Sequence, residues 1–217
     1  MSFDLLAPHY RWMEFVLAGG KLQRCRTNYV DEIPKPQNIL MLGEGNGRSL
    51  VKYCSRFPGA KITCVDASGA MLGQARRRMA RYGLDTAHVE FAQADILNWT
   101  PAGEGYDLIV TNFFLDCFRP DQLELIISRI AAAAVPQANW LIADFNLPAT
   151  GLRRIRSGLI LWSMYIFFRT VTRLPAKSLT SPDAILERAG FTLRQRKESE
   201  WGLLRSDWWL KQIDSSE

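Results

Sequence analysis

The chain has 217 residues, of which 47% are hydrophobic and 23% charged, and its formal net charge is +5. This composition is ordinary for a folded protein and excludes disorder over most of the chain, and the length fits a single domain. No apolar run approaches the roughly 20 residues of a membrane helix, and the N-terminus lacks the pattern of a secretory signal. We therefore expect a cytoplasmic protein.

Residues with metal-binding or redox chemistry are few and scattered. The four cysteines form no CxxC pair, which predicts free thiols. Two histidines, His9 and His88, are too few for a histidine-rich metal site, and we expect no metal. The basic residues form short clusters without a run of five or six like charges, as on a solvated surface. Nucleic acid and an anionic membrane surface are the minor alternatives.

The middle of the chain alternates predicted strands and helices. Residues 1–36 are predicted to be helical, and prolines close this segment. Strands are predicted at 39–42, 61–65, 89–92, 106–111 and 140–144, and helices at 48–56, 68–82 and 120–134. Repeated strand and helix units predict an α/β fold with a mostly parallel, doubly wound sheet.

The last third of the chain departs from this alternation. Residues 152–174 are predicted to form a long apolar helix, and a short helix follows Pro182 and ends at Gly190. The segment 191–211 reads as two strands joined near Trp201, which predicts an antiparallel hairpin at the sheet edge and seven strands in all. One domain, 1–217, thus divides into a helical lid (1–36), a core (37–151) and this C-terminal part (152–217).

The strongest local signal is a glycine loop between the first predicted strand and the next helix. The sequence Gly43-Glu44-Gly45-Asn46-Gly47 follows an apolar strand directly. Glycines let the backbone turn sharply and let a ligand approach the main chain, and the helix start supplies unpaired N–H groups. Arg48 stands where a dinucleotide-binding GxGxxG motif requires its third glycine, so the pattern is GxGxG.

An acid stands at the end of the second predicted strand. Asp66 lies 19 residues after the last glycine of the loop, Gly47. A carboxylate at this place accepts hydrogen bonds from both ribose hydroxyls of an adenosine group, because it offers two acceptor oxygens. The loop and the acid together predict a nucleoside-binding site at the carboxyl edge of the sheet.

These motifs resemble those of class I S-adenosylmethionine-dependent methyltransferases, and the similarity runs from residue 3 to residue 211. GxGxG resembles the first motif of the family, Asp66 its ribose-binding acid, and the segment 93–96 its adenine-binding segment. The resemblance implies a Rossmann-like seven-stranded sheet and S-adenosylmethionine as cofactor. It also implies cofactor contacts from Tyr10, Gly43, Glu44, Gly45, Gly47, Asp66, Ala67, Met71, Asp95, Ile96 and Thr111.

Two positions qualify the resemblance. The family often carries an acid two residues before the first glycine of the loop, where this chain has Met41, and Glu44 is the substitute candidate. The segment 112–114, Asn-Phe-Phe, lacks the prolines typical of enzymes that methylate nucleic-acid amino groups. We therefore expect no nucleic-acid partner. The opening segment, 3–10, resembles the lid helix of small-molecule methyltransferases, which makes Tyr10 a lid residue.

Three residues are candidates for a base that removes a proton from the acceptor. His9 lies on the predicted lid, Asp116 follows the fourth strand, and Asp144 ends the fifth. Each has a structural alternative: helix packing for His9, helix capping for Asp116 and a turn for Asp144. A transfer that relies on proximity alone, without a base, is also open.

The apolar segment 158–168 bears on the acceptor. Eleven residues span only about 16 Å as a helix, which is too short to cross a bilayer. The segment is expected to pack in the core and wall an acceptor pocket, with core packing alone and membrane-surface contact as alternatives. Each of these favours a lipophilic or aromatic acceptor.

The sequence thus predicts methyl transfer to oxygen or carbon of a small, apolar or aromatic molecule. A protein that binds the cofactor without turnover, a nicotinamide oxidoreductase and a nucleic-acid methyltransferase are the competing hypotheses. The sequence gives no prediction of the oligomeric state.

Overall fold

The computed structural model describes residues 20–101, 105–148, 150–151, 154–161 and 179–213. Seven strands form one sheet in the order β3-β2-β1-β4-β5-β7-β6. They are β1 (Asn38–Leu42), β2 (Lys61–Asp66), β3 (Val89–Gln93), β4 (Tyr106–Asn112), β5 (Ala134–Phe145), β6 (Phe191–Ser199) and β7 (Leu204–Lys211). Strands β1 to β5 are parallel, and β7 pairs antiparallel with β5 and β6. The predicted mostly parallel sheet with an antiparallel C-terminal hairpin is confirmed.

Helices connect the strands within the described ranges. They are α1 (Gly20–Thr27), α2 (Arg48–Arg56), α3 (Gly69–Arg81), α4 (Pro120–Ala133) and α5 (Asp183–Arg188), with one 3₁₀ turn at Leu115–Cys117 and another at Glu200–Gly202. Two helix starts follow from local chemistry: the Ser68 hydroxyl accepts the Met71 N–H before α3, and proline occupies the start of α4.

Strand β1 shows why the sheet needs helices on both faces. Ile39 and Met41 pack in one buried cluster, and Leu40 and Leu42 pack in another on the opposite face. Successive side chains of a strand point to opposite faces, so a strand that is apolar at every position must be covered on both sides. The parallel arrangement of the strands provides this cover through its crossover helices.

The start of β5 differs from the prediction, which placed it at residue 140. The strand begins at Ala134, opposite Tyr106, and its register shifts before Asn139 pairs with Leu108. Gln137 has a φ of 63° within this shift. A bulge tolerates Pro136, which has no N–H for the ladder, and so the strand continues across a residue that normally interrupts one.

Parts of the predicted lid and apolar helix lie outside the described residues. Residues 1–19 and 162–178 are in this group, whereas 154–161 are helical. Helix α1 lies across the hairpin side of the sheet, where the Ser206 hydroxyl donates to the Cys25 carbonyl at 2.8 Å. Among the described residues, no helix has the length and apolarity to cross a membrane. The predicted cytoplasmic location stays a prediction.

Candidate active site

The glycine loop after β1 combines two packed glycines with one that faces open space. Gly43, Gly45 and Gly47 have φ values of 65°, 64° and 78°. A Cβ at Gly43 would overlap the Phe114 ring, and one at Gly47 would lie 2.7 Å from the Ala75 Cα. A Cβ at Gly45 would meet nothing within 4 Å. The loop is therefore a cradle that is closed at its two ends and open at its centre.

Asp66 closes this cradle from the neighbouring strand. Its Oδ2 accepts the Gly45 N–H at 2.9 Å, and its Oδ1 accepts the Ser68 N–H at 2.9 Å. Both bonds come from backbone donors, so the carboxylate has a fixed orientation between the glycine loop and the start of α3. The structure thus brings the predicted ribose-binding acid against the predicted loop.

Glu44 is directed toward helix α2. Its Oε1 accepts the N–H groups of Ser49 and Leu50 at 2.8 and 2.9 Å, and its Oε2 accepts the Ser49 hydroxyl at 2.5 Å. Burial raises the pKa of Glu44, and these hydrogen bonds partly offset the rise. Asn112 at the end of β4 donates to the same hydroxyl at 3.1 Å. Glu44 therefore caps α2 in a manner that the sequence did not indicate; its predicted contact with the cofactor stays a prediction.

The remaining predicted cofactor contacts lie on or near the same edge. Met71 and Ile96 are buried, and the Asp95 Oδ1 accepts the Leu97 N–H at 3.1 Å in the turn after β3. Ala67 lies between Asp66 and the Ser68 cap. Thr111 is fully buried, and its hydroxyl oxygen accepts the Trp140 indole N–H at 3.1 Å, so this side chain lies below the surface of the edge.

Asp116 and Asp144, predicted as separate base candidates, lie together. The Asp144 Oδ2 accepts the Asp116 backbone N–H at 3.2 Å, its Oδ1 accepts the Phe145 N–H at 3.1 Å, and the two carboxyl groups hydrogen-bond to each other. Burial and the neighbouring Asp116 charge raise the pKa of Asp144 well above its ordinary value. Asp144 is 2% exposed, whereas Asp116 is partly exposed.

Aromatic side chains border this carboxyl pair. The Phe113 and Phe145 rings lie 5.0 Å apart, and the Arg26 guanidinium of α1 lies 5.1 Å from the centre of the Phe113 ring. The Phe114 ring, one residue further, covers Gly43. The segment after β4 therefore joins the glycine loop to the carboxyl pair. Arg26 belongs to no sequence motif, and its position in the site was not predicted.

Arg205 is a second residue that the sequence analysis missed. It pairs with Asp144 across the β5–β7 ladder, is 4% exposed, and reaches Asp183 at 3.0 Å and Asp207 at 3.5 Å. Arg196 of β6 contacts the same two acids at 2.9 and 2.7 Å. A charge network around the buried Arg205 and Asp207 therefore supports the hairpin side of the site. No local sequence pattern predicts this network, because the network depends on the register of β5 with β7.

Other predicted residues lie elsewhere. His9 and Tyr10 are outside the described residues. His88 lines a cavity of about 630 Å³ at the opposite edge of the sheet, together with Lys61 and Tyr106. The part of the chain that the structure describes holds no group of three or more potential metal ligands.

Comparison with known proteins gives a family match for the middle of the chain. Residues 39–137 match the family described as methyltransferase domain. Trans-aconitate 2-methyltransferase of Streptomyces coelicolor is 35% identical over 158 residues, covering 68% of this chain and 50% of that protein. The enzyme of the same name from Paracidovorax citrulli is 39% identical over 100 residues, covering 46% of this chain and 35% of that protein. The chain thus spans half or less of the length of these curated relatives.

Solved structures agree in fold. Mitomycin 7-O-methyltransferase has a TM-score of 0.72 at 18% identity, covering 97% of this chain and 61% of that one. Magnesium protoporphyrin IX methyltransferase from Synechocystis, solved with bound SAH, has a TM-score of 0.62 at 17% identity, covering 88% of this chain and 83% of that one. The match over residues 39–137, these relatives and the sheet topology all support a class I S-adenosylmethionine-dependent methyltransferase fold.

Proposed function

We propose that this chain transfers a methyl group from S-adenosylmethionine to an oxygen or carbon atom of a small, apolar or aromatic acceptor. The observation that carries the proposal is the cradle at the carboxyl edge. Gly45 leaves open space, and Asp66 is fixed against its N–H. These residues fit an adenosine derivative, because a bare backbone admits close approach and a carboxylate accepts ribose hydroxyls.

Each part of the edge has a role in this proposal. The glycine loop receives the methionine part of the cofactor, Asp66 the ribose, and the turn at Asp95 and Ile96 the adenine. The bound cofactor supplies an activated methyl group on a sulfonium. The residues of this chain align the acceptor and exclude water, which is the main requirement of an in-line displacement.

The acceptor side supports an aromatic or apolar molecule. The Phe113 and Phe145 rings lie next to each other at the ends of β4 and β5, partly buried and beside the carboxyl pair. Aromatic rings favour offset or tilted contact with another ring. A tricarboxylate acceptor such as trans-aconitate is the second candidate, favoured by the names of the relatives.

The cofactor role of Asp66 is tested by calorimetry with S-adenosylmethionine and its demethylated product. We expect Asp66→Ala to weaken binding by about tenfold or more, since a hydrogen bond to a charged group contributes roughly 1.5–3 kcal/mol. Asp85→Ala is the matched control, because Asp85 also accepts an N–H two residues later, from Ala87, but lies at the opposite edge. Equal affinity of the Asp66→Ala variant and the wild type would contradict this assignment.

Turnover separates an enzyme from a protein that only binds the cofactor. The wild-type chain is incubated with S-adenosylmethionine and a panel of phenols, enols and carboxylates, and the demethylated cofactor is quantified. Acceptor-dependent product supports the proposal. Tight cofactor binding without product from any acceptor supports the binding-only hypothesis instead.

A further inference from the structure

The carboxyl pair at the ends of β4 and β5 has a built-in asymmetry. Asp144 is 2% exposed and is held by two backbone N–H groups, those of Asp116 and Phe145. Asp116 is partly exposed, and its Oδ1 lies 3.5 Å from the Cys117 thiol. Asp144 is therefore the more deeply buried residue of the pair, and Asp116 follows β4 at the carboxyl end of the sheet, where ligands of such sheets bind.

The surrounding charges do not neutralise both carboxyls. Arg205 is the guanidinium that acts on both, and it also contacts Asp183 and Asp207. Arg196 contacts Asp183 and Asp207 as well, so the guanidiniums of the hairpin are shared among several carboxyl groups. Two carboxylates in contact inside a protein cannot both ionise readily, so the pair retains a proton at neutral pH.

Two thiols among the described residues lie near the pair. Burial raises the pKa of the Cys25 thiol on α1 to about 11 and that of the Cys117 thiol well above its ordinary value, so both stay neutral. Arg26 on α1 lies over the Phe113 ring. The retained proton belongs on Asp144, the more deeply buried carboxyl, and leaves Asp116 as the carboxylate.

The geometry points to Asp116 as the base that removes the proton of the acceptor, with Asp144 as a positioning residue that donates a hydrogen bond to it. Phe114 links the two halves of the site, because its ring covers Gly43 while Asp116 follows two residues later. The acceptor is then a neutral molecule with a removable proton, a phenol, enol or similar carbon acid, and not a polycarboxylate, which the neighbouring Asp116 carboxylate would repel.

This inference rests on the proposed methyl transfer and accounts for the proton that the acceptor loses. The acceptor O–H bond breaks, the proton passes to the Asp116 carboxylate, and the electron pair stays on the acceptor oxygen. The new oxygen–carbon bond forms as the carbon–sulfur bond breaks with its electron pair on sulfur. Asp116 then releases the proton to water, and the pair returns to its starting state.

The test uses three matched probes: 1-naphthol, 1-methoxynaphthalene and 1-naphthoate. They are titrated into the full chain with ¹³C-labelled aspartate carboxyls and saturating S-adenosylhomocysteine. We expect 1-naphthol to bind at least tenfold more tightly than 1-naphthoate and to shift the Asp116 resonance, while the methoxy compound leaves that resonance in place. Preference for 1-naphthoate, or a 1-naphthol complex without a shift, overturns the inference.

Two measurements on variants separate the roles of the two acids. One is the titration of the carboxyl groups, and the other is the methylation rate with a phenol that the wild type methylates. Asp116→Asn should lower kcat by about 10²-fold or more, the usual contribution of a general base. Asp144→Asn retains a neutral but weaker donor, so the acid limb of the pH profile should move to higher pH, with a smaller loss of kcat than in Asp116→Asn; Asp144→Ala removes the donor and should move this limb further. Asp121→Asn, an exposed acid paired with Arg119, is the control.

The outcome is distinguishable from failure of the proposed function. If S-adenosylmethionine does not bind the wild type, the proposed function fails by itself. If it binds and both asparagine variants titrate and methylate as the wild type does, only the assignment of the acid pair fails.

Discussion

The two halves of the carboxyl edge hold their acids in different ways. On the glycine-loop side, Asp66 and Glu44 accept hydrogen bonds chiefly from backbone N–H groups a few residues away. On the hairpin side, Asp183 and Asp207 contact the guanidiniums of Arg196 and Arg205. The first half is thus organised by local backbone geometry, and the second by long-range side-chain pairing.

This difference has an energetic meaning. A carboxylate that accepts backbone N–H groups at a helix start has donors that form with the helix itself. A buried carboxylate whose partners are guanidiniums depends on every member of the network, because removal of one leaves a charge buried without its partner. The hairpin side should therefore be more sensitive to the loss of one side chain.

The largest effect is expected for Asp207→Ala. Asp207 is fully buried, and its two oxygens accept from Arg196 at 2.7 and 2.8 Å. Its loss should lower the free energy of unfolding by about 3–5 kcal/mol, measured by urea denaturation. The control is Glu124→Ala, because Glu124 pairs with Arg188 on the surface with both side chains more than 60% exposed. That change should cost below about 1 kcal/mol, and equal losses would refute the comparison.

A somewhat smaller loss is expected for Gly47→Ala on the loop side. The backbone there has a φ of 78°, and the new Cβ would lie 2.7 Å from the Ala75 Cα. Left-handed strain of roughly 1–2 kcal/mol and overpacking of roughly 1–3 kcal/mol together predict a loss of about 2–5 kcal/mol.

Two other glycines separate the strain from the overlap at Gly47. Gly45 and Gly83 have φ values of 64° and 63°, and a Cβ at either would meet nothing within 4 Å. Their alanine variants should each lose only the strain, about 1–2 kcal/mol, in the same denaturation experiment. A loss for Gly47→Ala no larger than theirs would mean that α3 moves aside freely.

The same contrast explains what the sequence could predict. The strands follow from apolar runs, and the loop and Asp66 from spacing along adjoining segments, so the fold and the cradle were foreseen. Asp116 and Asp144 were foreseen only as separate candidates. Their contact depends on β4 and β5 lying side by side, and the nearby Arg205 depends on an antiparallel register that joins residues 61 positions apart.

Two details of the loop side also escaped the sequence. Glu44 was the candidate to substitute for the family acid at the position of Met41, and the cap that its oxygens form on α2 was not foreseen. The bulge at Gln137 lengthens β5 beyond the predicted start. Both depend on side-chain or backbone rotation, which an amino-acid pattern does not specify.

An intermediate effect is expected for Glu44→Gln. The amide oxygen keeps the Ser49 and Leu50 N–H groups that Oε1 accepts, but an NH₂ group replaces Oε2, the acceptor of the Ser49 hydroxyl. That hydroxyl also accepts from Asn112, so its own proton loses its acceptor. Because an unsatisfied buried donor costs about 1–3 kcal/mol, the free energy of unfolding should fall by that amount. Glu90→Gln, at an exposed position of β3, is the control and should have no measurable effect. An unaltered Glu44→Gln variant would show that the cap contributes little.

A change of opposite sign is expected for Asp144→Asn, and its size depends on the pH. A carboxyl whose pKa is raised on folding binds more protons in the folded state than in the unfolded state. The stability of the wild type should therefore fall as the pH rises above 3.8, the ordinary value, toward the raised pKa, by at most about 1.4 kcal/mol for each pH unit. Asparagine does not titrate, so the variant should lack this fall and gain stability relative to the wild type between pH 4 and pH 7. Thermal unfolding across this range measures the difference; parallel curves for the two proteins would mean that Asp144 is ionised in the folded state and that the carboxyl pair shares no proton.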